Sequence, residues 1–219
     1  MIERFKKEIF ESPCFDRLRD RHKNSFEPWF LSKVKPIAGD LLKENIALSL
    51  EDEKFIIENI DLIIHSAASV DFNARIDEAI NINILGTLKM YSLAKKCHHL
   101  YNFLHVSTAY VNSNKSEGWI DEEVFPIEED PEVLLNRLLK TPSEELVAST
   151  QEILGEYPNT YTFTKSLAER IIYKEKGKYS VTIFRPTIIG SSWKEPFLGW
   201  VDTVSAAGAL YLLGGRIFL

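Results

Sequence analysis

Cysteine is scarce. Cys14 and Cys97 are the only two in 219 residues. They offer neither a disulfide framework nor metal-ligand spacing, so no metal site is expected and a reducing, intracellular compartment is implied. Long apolar runs are absent too. No stretch reaches the ~20 residues of a membrane span. The nearest run, Val201 to Leu219, is interrupted by Asp202 and Arg216. The opening Met1-Ile2-Glu3-Arg4-Phe5-Lys6-Lys7 is too charged for a secretory signal. A basic stripe is missing from a chain of net charge −6, which argues against nucleic acid. It does not argue against an anionic cofactor, because helix N-termini and a few cations suffice to bind one. Repeats, low-complexity tracts and flexible linkers are also lacking.

What is present is an ordinary globular composition, 45% hydrophobic and 26% charged, long enough for one core or a core plus a subdomain. The charge is uneven. Between Asn112 and Asn159 twelve acidic residues face three basic ones, a net of −9 that leaves +3 for the rest. Such a segment reads as a solvated insertion.

Four short apolar runs, Val34–Ala38, Asp61–His65, Phe103–Ser107 and Ser180–Phe184, read as strands buried on both faces of a parallel sheet. Helical patterns lie between them. Ser49-Leu50-Glu51-Asp52 opens a helix to about Asn59, and apolar residues recur at helical spacing from Ala74 to Cys97. Tyr161 to Lys174 is a third helix. Asp130-Pro131 and Thr141-Pro142 each look like an N-cap followed by proline at the first helical position, so two helices are expected within the insertion. Strands alternating with helices predict an α/β fold with a doubly wound, Rossmann-like parallel sheet and a helical insertion over 112–159.

The chemistry is suggested by Tyr161-Thr162-Phe163-Thr164-Lys165. A tyrosine and a lysine four residues apart share a helix face. The ammonium is expected to lower the phenol's pKa, suiting proton transfer to a carbonyl or alcohol oxygen. Tyr91 and Lys95 repeat the spacing, so spacing alone selects neither pair. A half-buried aromatic beside a solvated lysine is the plainer reading of each.

Three strand ends add context. Ser66-Ala67-Ala68 follows one strand, where small residues let a ligand approach the backbone; a tight turn would look the same. Ser107-Thr108 ends the next, offering a hydroxyl to a substrate or merely to the backbone. Arg185-Pro186-Thr187 ends the last, where proline halts the ladder. Within the long helix, Asn81, Asn83 and Gly86 are poor helix formers that need either close packing or a buried polar network to explain them.

The order of these features resembles the extended short-chain dehydrogenase/reductases. It selects Tyr161 and Lys165, and leaves Tyr91 as a core residue. Gly39-Asp40-Leu41, His65 to Val70, Asn81 to Thr87, Val106 to Asn112, Tyr161 to Lys165 and Leu198 to Asp202 narrow the resemblance to fatty acyl-CoA reductases, from about Glu3 to the end. The resemblance implies NADPH as cofactor and a fatty acyl-CoA as substrate, reduced through the aldehyde to a primary alcohol. It implies Tyr161 as general acid and Lys165 as the residue that binds the nicotinamide ribose and tunes Tyr161. Thr108, with Ser107 as alternative, would position the carbonyl, and Asn83 would hold a relay water. Asp40 and Leu41 would lie by the adenine, Ala67 and Ala68 along the cofactor, and Pro186, Thr187 and Ile189 by the nicotinamide amide. Residues 190–219 would begin the substrate pocket, with the Trp200 region shaping it. None of the ten glycines forms the Gly-x-x-Gly-x-x-Gly turn with which the family opens. The expectation is therefore a partial domain, lacking the first strands, that turn and the family's C-terminal helical portion. The family's peroxisomal or endoplasmic reticulum surface would be reached through segments outside this chain. Other extended reductases, such as a carrier-protein thioester reductase or a sugar-nucleotide epimerase, and an inactive fragment are the alternatives.

Overall fold

A computed structural model describes residues 2–115 and 118–202. The part of the expected pocket region from 203 to 219 lies outside the described residues. The chain forms two compact units, Met1–Ala38 with Ile188–Leu219, and Gly39–Thr187.

The first unit gathers short helical turns, among them α1 (Asp16–His22) and α2 (Phe26–Leu31), around aromatic rings. Phe10, Phe15 and Phe26 each sit 5.0–5.4 Å from the buried ring of Phe30. Arg17 pairs with Glu195. The Trp200 segment closes a small loop through Ser192 N–H to Trp200 O and Gly199 N–H to Ser192 O, both 2.9 Å. Gly199 holds φ +77° there, a left-handed backbone that glycine adopts freely.

The second unit carries the sheet. β1 (Leu62–His65), β2 (Asn102–Val106) and β3 (Val181–Phe184) run parallel in that order, with Phe103 opposite both Ile63 and Val181. The run Val34–Ala38 forms no strand among the described residues: the sheet there holds β1, β2 and β3 alone, and an extended segment outside the ladder gains no inter-strand hydrogen bonds. Burial on both faces is not observed either. Ile63, His65, Phe103 and His105 are buried, whereas Ile64 is 60% and Phe184 53% exposed. Successive side chains alternate between faces, and helices cover the face of the first set.

Two helices flank β1 along the chain. α3 (Leu50–Asn59) precedes β1 and is capped as expected, Ser49 Oγ accepting from Asp52 N–H at 3.0 Å. α4 runs from Ile76–Ala79 through a π-helical stretch, Ile80–Leu85, into Gly86–Lys96. Tyr91 and Ala94 of α4 pack with Ile63, Phe103 and Ile172 into one core cluster.

Among its described residues the insertion forms three helices where two were expected: α5 (Pro131–Lys140), α6 (Ser143–Ala148) and α7 (Thr150–Leu154). Asp130 caps α5 as expected. At the next site Thr141 ends α5 by donating to Arg137 O, and Pro142 takes the cap position of α6. The acidic charge is solvated, but the insertion is not merely surface. Leu135, Leu138, Leu146 and Leu154 join Ile76, Ile80, Ile84, Phe163 and Leu167 in a second core cluster. Each fully buried leucine contributes roughly 1.5–3 kcal/mol.

α8 (Thr160–Glu175) completes the layer, with Asn159 capping it through Thr162 N–H at 2.9 Å. No helix of the described residues is long and apolar enough to cross a membrane.

Candidate active site

Three parallel strands end on the same edge of the sheet, so Ser66–Ala68, Ser107–Thr108 and Pro186–Thr187 come together by topology. That edge is where open α/β sheets receive ligands. Two backbone bonds hold it in register beyond the strands, Ser107 N–H to Phe184 O at 2.7 Å and Ala109 N–H to Pro186 O at 2.9 Å. Ala67 and Thr187 are exposed, and Ala68 and Pro186 half-buried.

Tyr161 stands in the first turn of α8 and reaches this edge. Its phenol lies beside the Thr108 hydroxyl, whose oxygen accepts from Tyr110 N–H at 3.3 Å. Phe72 lies against the phenol ring at 5.4 Å. Burial raises the Tyr161 pKa above its ordinary value, and the Thr108 hydroxyl offsets part of that rise. The expectation of a lysine-lowered phenol is thus reversed by burial. The Lys165 ammonium is engaged elsewhere, donating to Val106 O at 2.8 Å and lying 3.4 Å from His105 Nε2. It is 2% exposed, and burial brings its pKa down to about 8, against the pull of Glu169.

Tyr161, Lys165 and Glu169 form one stripe along α8, four residues apart. Glu169 takes a two-nitrogen grip from Arg185, Nε at 3.0 Å and Nη2 at 2.6 Å, which ties the end of β3 to the helix. Two histidines of the strands complete the surroundings. Burial, reinforced by the Lys165 charge, lowers His65 to about 4 and His105 to about 2, so both are neutral.

Asn83 lies in the π-helical stretch of α4 and is buried. Its carboxamide clamps Ser69, accepting from the backbone N–H at 2.9 Å and donating to the carbonyl at 3.2 Å, and it donates to Thr164 Oγ1 at 3.1 Å. Its own carbonyl accepts from Thr87 Oγ1 at 2.7 Å. So the awkward helix residues have both expected causes. Asn83 anchors a buried polar network, and a Cβ on Gly86 would come within 3.2 Å of the Leu41 Cβ. Lys89 further ties this segment by donating to Leu41 O at 2.8 Å. Asp40 accepts from Leu42 N–H at 2.9 Å and is exposed. Ile189 falls in the other unit.

Of the cavities described, the largest, about 930 Å³, runs along the outer side of β3 between Ile183, Arg185 and Asp121–Glu123, and Tyr161 does not line it.

Sequence reasoning missed His105, Thr87, Phe72 and Glu169. An inward histidine on a strand and a threonine on a helix carry no signal beyond core packing. The i, i+4, i+8 spacing of Tyr161, Lys165 and Glu169 was the one available clue.

A parallel sheet with a strand-end hydroxyl beside a helical tyrosine, and a buried lysine one turn on, defines an α/β domain of the Rossmann type. Solved structures agree on the fold. The terminal R domain of the myxalamid PKS-NRPS pathway superposes with TM-score 0.57 at 21% identity, over 76% of this chain and 36% of that one. A thiolation-reductase di-domain from an archaeal non-ribosomal peptide synthetase gives 0.52 at 24%, over 93% and 49%. A family model of an NAD-binding domain, described as Male sterility protein, matches residues 1–217, and the chain belongs to that family. It is 39% identical over 209 residues to fatty acyl-CoA reductase 1 of Mus musculus and 38% to that of Homo sapiens, and 34% identical over 212 residues to fatty acyl-CoA reductase 2 of Mus musculus. These alignments cover 95–97% of this chain and 39–40% of the relatives, so the chain spans about two fifths of their length.

Proposed function

We propose that this chain carries the proton-donating half of a nicotinamide-dependent reductase acting on long-chain fatty acyl-CoA, with NADPH as the cofactor and a primary alcohol as product. The observation that carries the reading is the placing of the Tyr161 phenol beside Thr108 at the carboxyl edge of the sheet, with Lys165 buried one helical turn away. The names of the relatives supply the substrate class.

The residues present fit the nicotinamide end of such a cofactor. Ala67 and Ala68 leave the backbone approachable, and the Ser107 hydroxyl is buried without a hydrogen-bond partner among the described residues. Lys165, Pro186 and Thr187 would hold the nicotinamide ribose and amide, and Asp40 and Leu41 the adenine side. Two molecules of NADPH, bound one after the other, would each supply one hydride, the first for thioester to aldehyde with loss of the CoA thiol and the second for aldehyde to alcohol.

Tyr161 does the acid work. Its raised pKa keeps the phenol protonated at neutral pH, which is the state a general acid needs. Thr108 Oγ1 and the phenol together define where a carbonyl oxygen is held. As charge develops on that oxygen the Tyr161 proton moves to it. Asn83 keeps the Ser69 backbone in place beside this group. The experiment is turnover of a long-chain acyl-CoA with NADPH, with products identified, for the wild type and Tyr161→Phe. Alcohol formation that survives the substitution overturns the assignment of the acid, and aldehyde as sole product overturns the alcohol-forming reading.

A further inference from the structure

His105 is fully buried, yet it is a strange core residue. Its Nε2 faces the Lys165 ammonium at 3.4 Å. Its Nδ1 is buried with no hydrogen-bond partner among the described residues. An ammonium only donates, so Nε2 must accept, and the imidazole proton must then sit on Nδ1 where nothing receives it. An apolar side chain in this place would avoid the stranded N–H. What it could not offer is a second acceptor beside Val106 O.

We propose that His105 is a positioning residue for Lys165. Through Nε2 it shares with Val106 O the task of seating the ammonium, so that two of the three N–H donors are directed to the strand and one remains for the ligand side. The inference rests on the reading of Lys165 as part of a nicotinamide site.

The surroundings fix the histidine in this role. His65 stacks over it, ring centroids 5.6 Å apart and planes 22° from parallel. His65 Nε2 is 3.0 Å from Thr87 Oγ1, and the Thr87 hydroxyl hydrogen is spent on Asn83 O. His65 must therefore donate through Nε2, the opposite tautomer to His105. A packed row thus runs from Asn83 through Thr87, His65 and His105 to Lys165, across α4, β1, β2 and α8. The titratable and charged groups facing Lys165 are His105 from β2, His65 from β1, and Glu169 and Tyr161 from its own helix. Arg185 at the end of β3 is held off by its pairing with Glu169. Neither histidine adds charge, because burial and Lys165 keep both neutral. His105 thus supports the charged lysine while burial opposes it.

The test is nuclear magnetic resonance on the whole chain without substrate. In the wild type, imidazole nitrogen shifts should show His105 neutral at pH 7 with its proton on Nδ1. A charged ring, or a proton on Nε2, overturns the proposal, and this measurement needs no substitution. The Lys165 Cε resonance, assigned by its loss in Lys165→Met, should titrate near 8 in the wild type. It should titrate roughly one unit lower in His105→Leu and close to the wild-type value in His105→Gln, whose amide oxygen can accept. An unshifted Lys165 in folded His105→Leu overturns the proposal; a merely structural histidine would change thermal stability and leave that titration alone. Titration of the wild type with NADPH is read separately. Its failure would overturn the nucleotide reading while the histidine tautomer and the lysine shift still stand or fall on their own.

Discussion

The chain contains the same five-residue spacing twice, and the two copies do different work. Tyr91 and Lys95 sit on α4, Tyr161 and Lys165 on α8. In the first pair the tyrosine is buried and the lysine half-exposed. Tyr91 packs on Phe103 at 5.1 Å, and Lys95 turns outward to Glu175 at 2.9 Å while lying over the Tyr91 ring. In the second pair the order inverts: the lysine is buried and the tyrosine half-exposed at the sheet edge. A charge under cover beside a reachable phenol is a chemical arrangement, and a covered phenol beside a reachable charge is a packing arrangement. The spacing is indifferent to which; position against the sheet decides.

The sharpest way to break this comparison is to remove each hydroxyl. Tyr161→Phe should lower acyl-CoA reduction by about 10²–10⁴-fold with little change in thermal midpoint, whereas Tyr91→Phe should leave the rate alone. The Tyr91 hydroxyl makes only a long 3.5 Å contact to Glu175 O. Equal rate losses in the two variants would erase the distinction. Next in size is the packing side. Tyr91→Ala should cost about 3–5 kcal/mol in denaturant unfolding, because it empties the core between Phe103 and Ile172, and Tyr161→Ala should cost clearly less.

A third prediction concerns acid. His65 and His105 flank only the Lys165 pair and are neutral in the folded chain. The unfolded chain binds their protons first, so their contribution is complete above about pH 6.5. It is lost as pH falls toward about 4, where His65 titrates. Urea unfolding at pH 7 and pH 5 should differ on the order of 1–3 kcal/mol, and His65→Gln should shrink the difference. The smallest effect is expected at Lys95. Lys95→Met removes a pair whose side chains are 30% and 32% exposed, and should shift stability by about 0–1 kcal/mol and activity not at all. A large loss of rate there would mean that the packing pair also serves the site.

Much of this was legible because it is local. Ser49 before Leu50–Asn59 and Asp130 before Pro131–Lys140 are caps whose chemistry lies within three residues of the helix they open. The strand ends follow from short apolar runs bounded by small or hydroxyl residues. What could not be seen depends on partners far along the chain. Val34–Ala38 has the composition of a strand, but a strand exists only with a neighbour. The rise of the Tyr161 pKa comes from burial, and Lys165 turns to Val106 O, both set by packing across α8 and β2. His105 and Thr87 acquire meaning only when residues 60 and 22 positions apart are brought together.

The π-helical stretch at Ile80–Leu85 has one more consequence. A turn that closes i to i+5 holds one residue more than its neighbours, so it acts as a phase slip of about 100° in an otherwise regular helix. Ahead of the slip, α4 faces the insertion helices with Ile76 and Ile80; beyond it, Tyr91 and Ala94 face the sheet. Asn83 sits at the slip itself, able to serve the site edge. One added residue lets a single rod address three neighbours, and removing it would rotate the whole Tyr91–Lys95 turn away from the strands it covers.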